Sequence, residues 1–275
     1  MSNNPWNHTR NANVADDIDF EIKGQELQFL EIELDPGESA VAEAGAMVWK
    51  DASVQMSTVF GDGTGGEGGF MGKLLGAGKR LVTGESLFTT VYTHQGTGKA
   101  RVAFSAPVPG AILPIKLSDV GGALICQKDS FLAAARGVQI GIHFQRKILT
   151  GLFGGEGFIM QHLSGDGWVF VQMGGTIVER ELRAGEELHV DTGCIAAMTA
   201  NVEFDIQTVG GVKSMLFGGE GLFFARLRGP GKVWIQSLPF ARLAGRMLAA
   251  SGAMGGQNRG EGSVLGQLGN LLDGN

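Results

Sequence analysis

Short alternations of apolar and polar residues, each closed by a glycine-containing turn, run through most of this chain, and they predict β-strands rather than helices. Three segments open with Gly-Glu and an apolar pair: Gly84-Glu85-Ser86-Leu87-Phe88, Gly155-Glu156-Gly157-Phe158-Ile159 and Gly219-Glu220-Gly221-Leu222-Phe223. Each is followed by a Gly-x-Gly turn, at Gly96/Gly98, Gly165/Gly167 and Gly229/Gly231, and then by a second apolar run. Those runs are Ala100 to Phe104, Trp168 to Val171 and Val233 to Ile235. A glycine turn between two apolar runs predicts a β-hairpin, here written three times.

A second element precedes each of these. Leu34-Asp35-Pro36-Gly37-Glu38, Leu117-Ser118-Asp119-Val120-Gly121-Gly122 and Leu182-Arg183-Ala184-Gly185-Glu186 each place a turn between strands. The strands that follow read as Ala40 to Trp49, Ala123 to Ala134 and Glu187 to Ala197. Between the two elements lie leucines with basic residues: Lys79 and Arg80 in the first copy, Arg146 and Lys147 in the second, Lys213 in the third. A short helix or turn crossing between sheet layers is expected at each. In the first copy that region is longer and includes the glycine-rich stretch from Gly61 to Gly78.

The expected fold is therefore all-β, with three sheet-forming repeats at about 30–112, 113–181 and 182–238, plus short helices. One unit of this size buries too little surface alone, so the three are expected to share a core in a pseudo-threefold prism. The pattern changes near the C-terminus. Phe240, Leu243, Ala244, Met247 and Leu248 follow helical spacing after Pro239, which predicts a helix over 239–250. That helix is expected to cap the β domain, with a subunit contact as the second reading. A single domain over 17–250 is thus expected between a flexible N-terminus, 1–16, and a mobile Gly-, Asn- and Gln-rich tail, 251–275.

Composition narrows the function classes. With 43% hydrophobic and 18% charged residues the chain should fold. Its 46 glycines against 7 prolines fit many tight turns. A net charge of −6 argues against general nucleic-acid binding, although a local basic patch is compatible with it. Met1 to Asp17 has neither the apolar run of a secretory signal nor the pattern of a transit peptide. No apolar stretch approaches transmembrane length. Cytoplasm is the expected compartment, and Cys126 and Cys194 are expected to be two free thiols there.

The repeated Gly-Glu-x-Leu/Phe segments, the Leu-x-x-Gly-Glu turns and Val108-Pro109-Gly110-Ala111-Ile112-Leu113-Pro114-Ile115 together resemble the family named for altered inheritance of mitochondria, or mitochondrial biogenesis. The resemblance covers roughly residues 18–245. It implies a double-stranded β-helix-like fold related to the ring-forming tryptophan RNA-binding attenuation protein, and a homo-oligomer. It implies no catalytic residues.

Candidate chemistry is sparse. Gly61-Asp62-Gly63-Thr64-Gly65-Gly66 matches a dinucleotide-binding glycine pattern, but the acidic residue at a suitable distance, Glu85, recurs at Glu156 and Glu220 without any glycine pattern before it. A nicotinamide cofactor is rejected, and none other is expected. The five histidines lack metal-ligand spacing; His94 and His162 both precede a Gly-x-Gly turn and are candidates for equivalent positions. No nucleophile motif is present. Gly84, Glu85, Gly155, Glu156, Gly219 and Glu220 are expected to be structural, with each carboxylate accepting backbone N–H bonds. Trp168 and Trp234 fall in predicted core strands rather than on a stacking surface.

The expectation is a non-enzymatic, oligomeric β scaffold or binding protein. The alternative is a regulator that binds a small anionic ligand or RNA, with Lys79, Arg80, Arg146, Lys147 and Lys213 converging on one face. An unrecognised hydrolase is a further rival.

Overall fold

The computed structural model describes residues 14–60, 88–146, 158–208 and 223–250. Its strands are short and many. The first group is β1 (Asp19–Lys23), β2 (Phe29–Leu34), β3 (Ser39–Glu43), β4 (Met47–Lys50), β5 (Val54–Phe60), β6 (Phe88–His94) and β7 (Ala100–Ser105). Next come β8 (Gly110–Lys116), β9 (Ala123–Gln127), β10 (Phe131–Ala135), β11 (Gln139–Arg146), β12 (Phe158–Ser164) and β13 (Trp168–Gly174). The last are β14 (Ile177–Leu182), β15 (Glu187–Asp191), β16 (Ile195–Thr199), β17 (Glu203–Thr208), β18 (Phe223–Arg228) and β19 (Gly231–Gln236). A single α-helix among the described residues, α1 (Phe240–Ala250), follows.

Four antiparallel sheets result, in the orders β1-β2-β7-β4, β5-β6-β3-β10-β13-β8, β11-β12-β9-β16-β19-β14 and β15-β18-β17. The same pairing order recurs along the chain: β2-β7-β4, β8-β13-β10 and β14-β19-β16, and likewise β3-β6-β5, β9-β12-β11 and β15-β18-β17. Even a register shift recurs in place, between Met47 and Trp49, Phe131 and Ala133, and Ile195 and Ala197. Such a bulge bends its strand and raises the local twist.

Three apolar cores fill the spaces between successive sheets. Leu30, Ile32 and Phe104 of the first sheet meet Ala40, Tyr92 and Phe170 of the second. On the opposite face of the second sheet, Val41, Phe131 and Val169 meet Leu124, Cys126 and Trp234 of the third. Ile125, Phe158 and Met198 of the third then meet Val190, Ile206 and Leu227 of the fourth. The sequence pattern follows from this stacking. In the outer strand β2, Leu30, Ile32 and Leu34 point inward while Glu31 and Glu33 join ion pairs. In β10, covered on both sides, all five residues of Phe-Leu-Ala-Ala-Ala are buried.

Several expectations need correction. The Gly-x-Gly turns do not close hairpins: β6, β12 and β18 lie in different sheets from β7, β13 and β19. These turns are crossovers between layers. The true hairpin partners are β5 with β6, β11 with β12 and β17 with β18. The segments expected to cross between layers lie outside the described residues, apart from Phe144 to Arg146 at the end of β11; the strands flanking each are neighbours in one sheet. Each long strand read after a Leu-x-x-Gly-Glu turn is in fact two strands in different sheets, such as β3 and β4. Short turns divide them, with 3-10 geometry at Lys128–Ser130 and Thr192–Cys194. Among the described residues, β4 and β15 each end a sheet and are not paired with one another.

The turn prediction itself was apt. Glu38 accepts the Asp35 N–H at 2.9 Å, and Glu186 accepts the Arg183 N–H at 3.0 Å. Gly37 and Gly185 sit at φ 86° and 79°, in the left-handed region glycine adopts freely. Near the N-terminus, Ala15 N–H donates to Asp166 and Asp16 accepts from the Ser39 N–H, which holds residues placed by sequence in a loose segment.

Candidate functional site

Where strands end beside α1, polar side chains enter an otherwise apolar interior. Gln127, Gln172 and Gln236 are all buried there. Gln172 and Gln236 hold corresponding places in β13 and β19, and each donates to a carbonyl in the turn before the neighbouring strand. Gln172 Nε2 bonds Asp129 O at 2.9 Å, and Gln236 Nε2 bonds Gly193 O at 3.2 Å. The acceptor oxygens differ. Gln236 Oε1 takes the Gly174 N–H at 3.0 Å, two residues beyond Gln172. Two residues beyond Ser105, the residue of β7 that matches Gln172, stands Pro107, which has no N–H to give. Gln172 Oε1 accordingly has no protein partner.

That oxygen borders a cavity of about 10 Å³ lined by Pro107, Val108, Gln127, Asp129, Gln236 and Phe240, among others. This is room for one water-sized molecule and not for an organic ligand. A second depression, of about 660 Å³, is open and lined by Glu181, Leu182, Arg183, Ala184, Asn201, Pro230 and Gly231. Neither brings a nucleophile, a base and an orienting acid together. Among the described residues no three His, Cys, Asp or Glu side chains are grouped to hold a metal ion.

The histidines have separate duties. His94 accepts the Gly96 N–H at Nδ1 and contacts Gly98 O through Nε2 at 3.0 Å, a pattern that makes Nε2 the protonated nitrogen and pins the crossover turn. His162 stacks on His143 with ring centroids 6.3 Å apart. Burial, and then the neighbouring His162, depress the His143 pKa. Strand register shows that His94 and His162 are not equivalent: Thr93 faces Ser39 as Ser164 faces Ala123, which places His94 level with Gly165. Cys126 is a buried free thiol whose pKa is pushed up by burial first and by Glu43 and Asp129 after it. A thiol so placed is inert as a nucleophile. Trp234 is buried and its Nε1 donates to Glu179 at 2.8 Å, whereas Trp168 is only partly buried and packs on Phe20.

Charge collects on the outer face of the first sheet. Lys23 bonds Glu31 at 2.9 Å, Arg101 bonds Glu33 at 2.8 Å, and Lys99 bridges Glu33 and Asp19. Hydrogen bonds from Lys99 and then Arg101 hold the Glu33 carboxyl below its usual pKa.

Of the residues singled out from sequence, Lys79, Arg80, Lys147 and Lys213 lie outside the described residues. So do Gly84, Glu85, Gly155, Glu156, Gly219 and Glu220. Arg146 ends β11 with its backbone opposite Phe158. Sequence reading missed the buried glutamines; their signal was a lone Gln in the apolar runs Trp168 to Gly174 and Lys232 to Gln236.

The mitochondrial biogenesis AIM24 family model matches residues 20–238. The chain belongs to the AIM24 family. An uncharacterised protein of Streptococcus pyogenes serotype M6 is 30% identical over 228 residues, covering 82% of this chain and 87% of that one. A crystal structure of a Streptococcus pyogenes protein aligns with a TM-score of 0.67 at 26% identity, over 85% of this chain and 99% of that one. The fold of that crystal structure is thus shared over most of this chain. No helix among the described residues is long and apolar enough to cross a membrane.

Proposed function

We propose that this AIM24-family chain is a non-enzymatic β scaffold or binding protein that works as a cytoplasmic homo-oligomer. Its three related sets of six strands form a structural series. The observation that carries this reading is the recurring pairing order, in which each set shares a sheet with the next and every core forms between sheets. Gln172 and Gln236 serve the same architecture, since both donate to turn carbonyls. A series of this kind exposes strand edges, which suits assembly.

Sedimentation velocity on the full chain, from low to high micromolar concentration, tests the oligomeric part; a single monomer boundary throughout would contradict it. An esterase and phosphatase panel tests the non-enzymatic part, and turnover abolished by one substitution would overturn it. Binding a small anion or RNA through Lys79, Arg80, Arg146, Lys147 and Lys213 is the second reading. Its support is that the basic segments fall on corresponding connections, those joining β5 to β6, β11 to β12 and β17 to β18. Filter binding of homopolymeric RNA across a salt series separates the two.

A further inference from the structure

The chain contains two seams at which one strand set joins the next. At the first, Ala133, Ala134 and Ala135 of β10 face Ala42, Val41 and Ala40 of β3. At the second, Ala197, Met198 and Thr199 of β16 face Cys126, Ile125 and Leu124 of β9. In strand order β4 corresponds to β10 and β16, while β15 corresponds to β3 and β9. The chain thus ends its series with one half-seam of each kind, and neither has a ladder partner on that side among the described residues.

The outward face of β4 carries a second sign. The shared bulge aligns Val48 and Trp49 with Leu132 and Ala133, which are fully buried against the preceding sheet. Among the described residues no sheet precedes that of β4, and Val48 and Trp49 are 53% and 37% exposed. Elsewhere the outer face of this sheet is covered by the Lys23, Glu31, Glu33, Lys99 and Arg101 network. The apolar gap in that cover sits at the unpaired edge.

We propose that β4 of one copy pairs antiparallel with β15 of the next, in the register of the internal seams, so that Trp49 faces Val190 and Lys50 faces His189. The inference rests on the oligomeric reading above and specifies its interface. A third seam then forms between copies. It buries Trp49 beside Val190 and sets Lys50 diagonally between the carboxylates of Glu187 and Asp191, within reach of a long side chain. Each copy contributes a different edge, so the contact is head-to-tail and propagates until rotation closes a ring. Lys50 is also the kind of residue that guards an edge against pairing, and the test must tell these roles apart.

Two single variants in a Cys194→Ser background provide it: Trp49→Cys and Val190→Cys, the latter placing at 190 the residue type already present at the corresponding position 126. Opposed residues in an antiparallel ladder have Cα atoms about 4.5–5.5 Å apart, which a disulfide spans. Mixing the two under mild oxidation is expected to give a covalent dimer that neither gives alone. Lys50→Glu is expected to raise the dissociation constant about fivefold by placing like charges together, and Glu187→Lys in the same chain to restore association. Full-chain sedimentation separates the failures. An oligomer that forms without the cross-link, and is unmoved by Lys50→Glu, overturns this interface alone. A monomer at every concentration overturns the interface and the oligomeric reading together, and makes Lys50 a guard.

Discussion

The internal seams and the unpaired edges are the same strands in different surroundings. At the seams, Ala40, Ala42, Ala133, Ala134 and Ala197 have no exposed surface, because sheets press on both faces. At the edges the corresponding places hold Trp49 and Lys50 on β4 and Leu188 and Val190 on β15. Pairing order and bulge are kept while side-chain volume and polarity change. Backbone topology here is therefore set by turns, bulges and layer crossing, and side chains decide whether a given edge is closed within the chain or left available.

Breaking a seam should have the largest effect. Ala133→Trp, which puts the β4 residue into the interior, is expected to overpack the first core and cost about 3 kcal/mol, read as a fall in urea midpoint; an unchanged midpoint would mean the seam is not close-packed. Phe170→Ala should cost about 3–5 kcal/mol by emptying the same core, again by urea unfolding. The reverse change at the edge, Trp49→Ala, should leave the stability of the isolated chain within about 0.5 kcal/mol while weakening self-association. Glu186→Ala removes an exposed turn cap and should cost no more than about 1 kcal/mol.

The smallest expected effect is on pH. Hydrogen bonding from Lys232, and also from Trp234, lowers the Glu179 pKa in the fold. A lowered carboxylate contributes stability above its unfolded pKa and loses it as pH falls through the folded value. Glu179→Gln should therefore flatten the acid side of the stability curve slightly and leave the neutral side parallel to wild type.

Much of the strand content was legible, because period-two patterning and turn glycines are local signals. The Leu-x-x-Gly-Glu turn was readable for the same reason: Glu38 and Glu186 act on backbone atoms three residues away. Pairing partners were not legible. A glycine turn marks a reversal, but whether the chain returns in the same sheet, as between β17 and β18, or changes layer, as between β18 and β19, depends on contacts distant in sequence. The break inside Ala40 to Trp49 was hidden because both halves are apolar and alternate. Gln172 looked like an ordinary strand residue, since its unpaired oxygen depends on Pro107 in another strand set. The convergence of the basic segments depends on residues outside the described set.

Hydrogen–deuterium exchange followed against protein concentration tests the proposed third seam most directly, because ladder formation protects the amides of both partner strands at once. The account predicts that protection of Val48 to Lys50 and of Leu188 to Val190 rises together with concentration, while β3 and β10 stay protected throughout. Exchange at both edges that is fast and independent of concentration would contradict it.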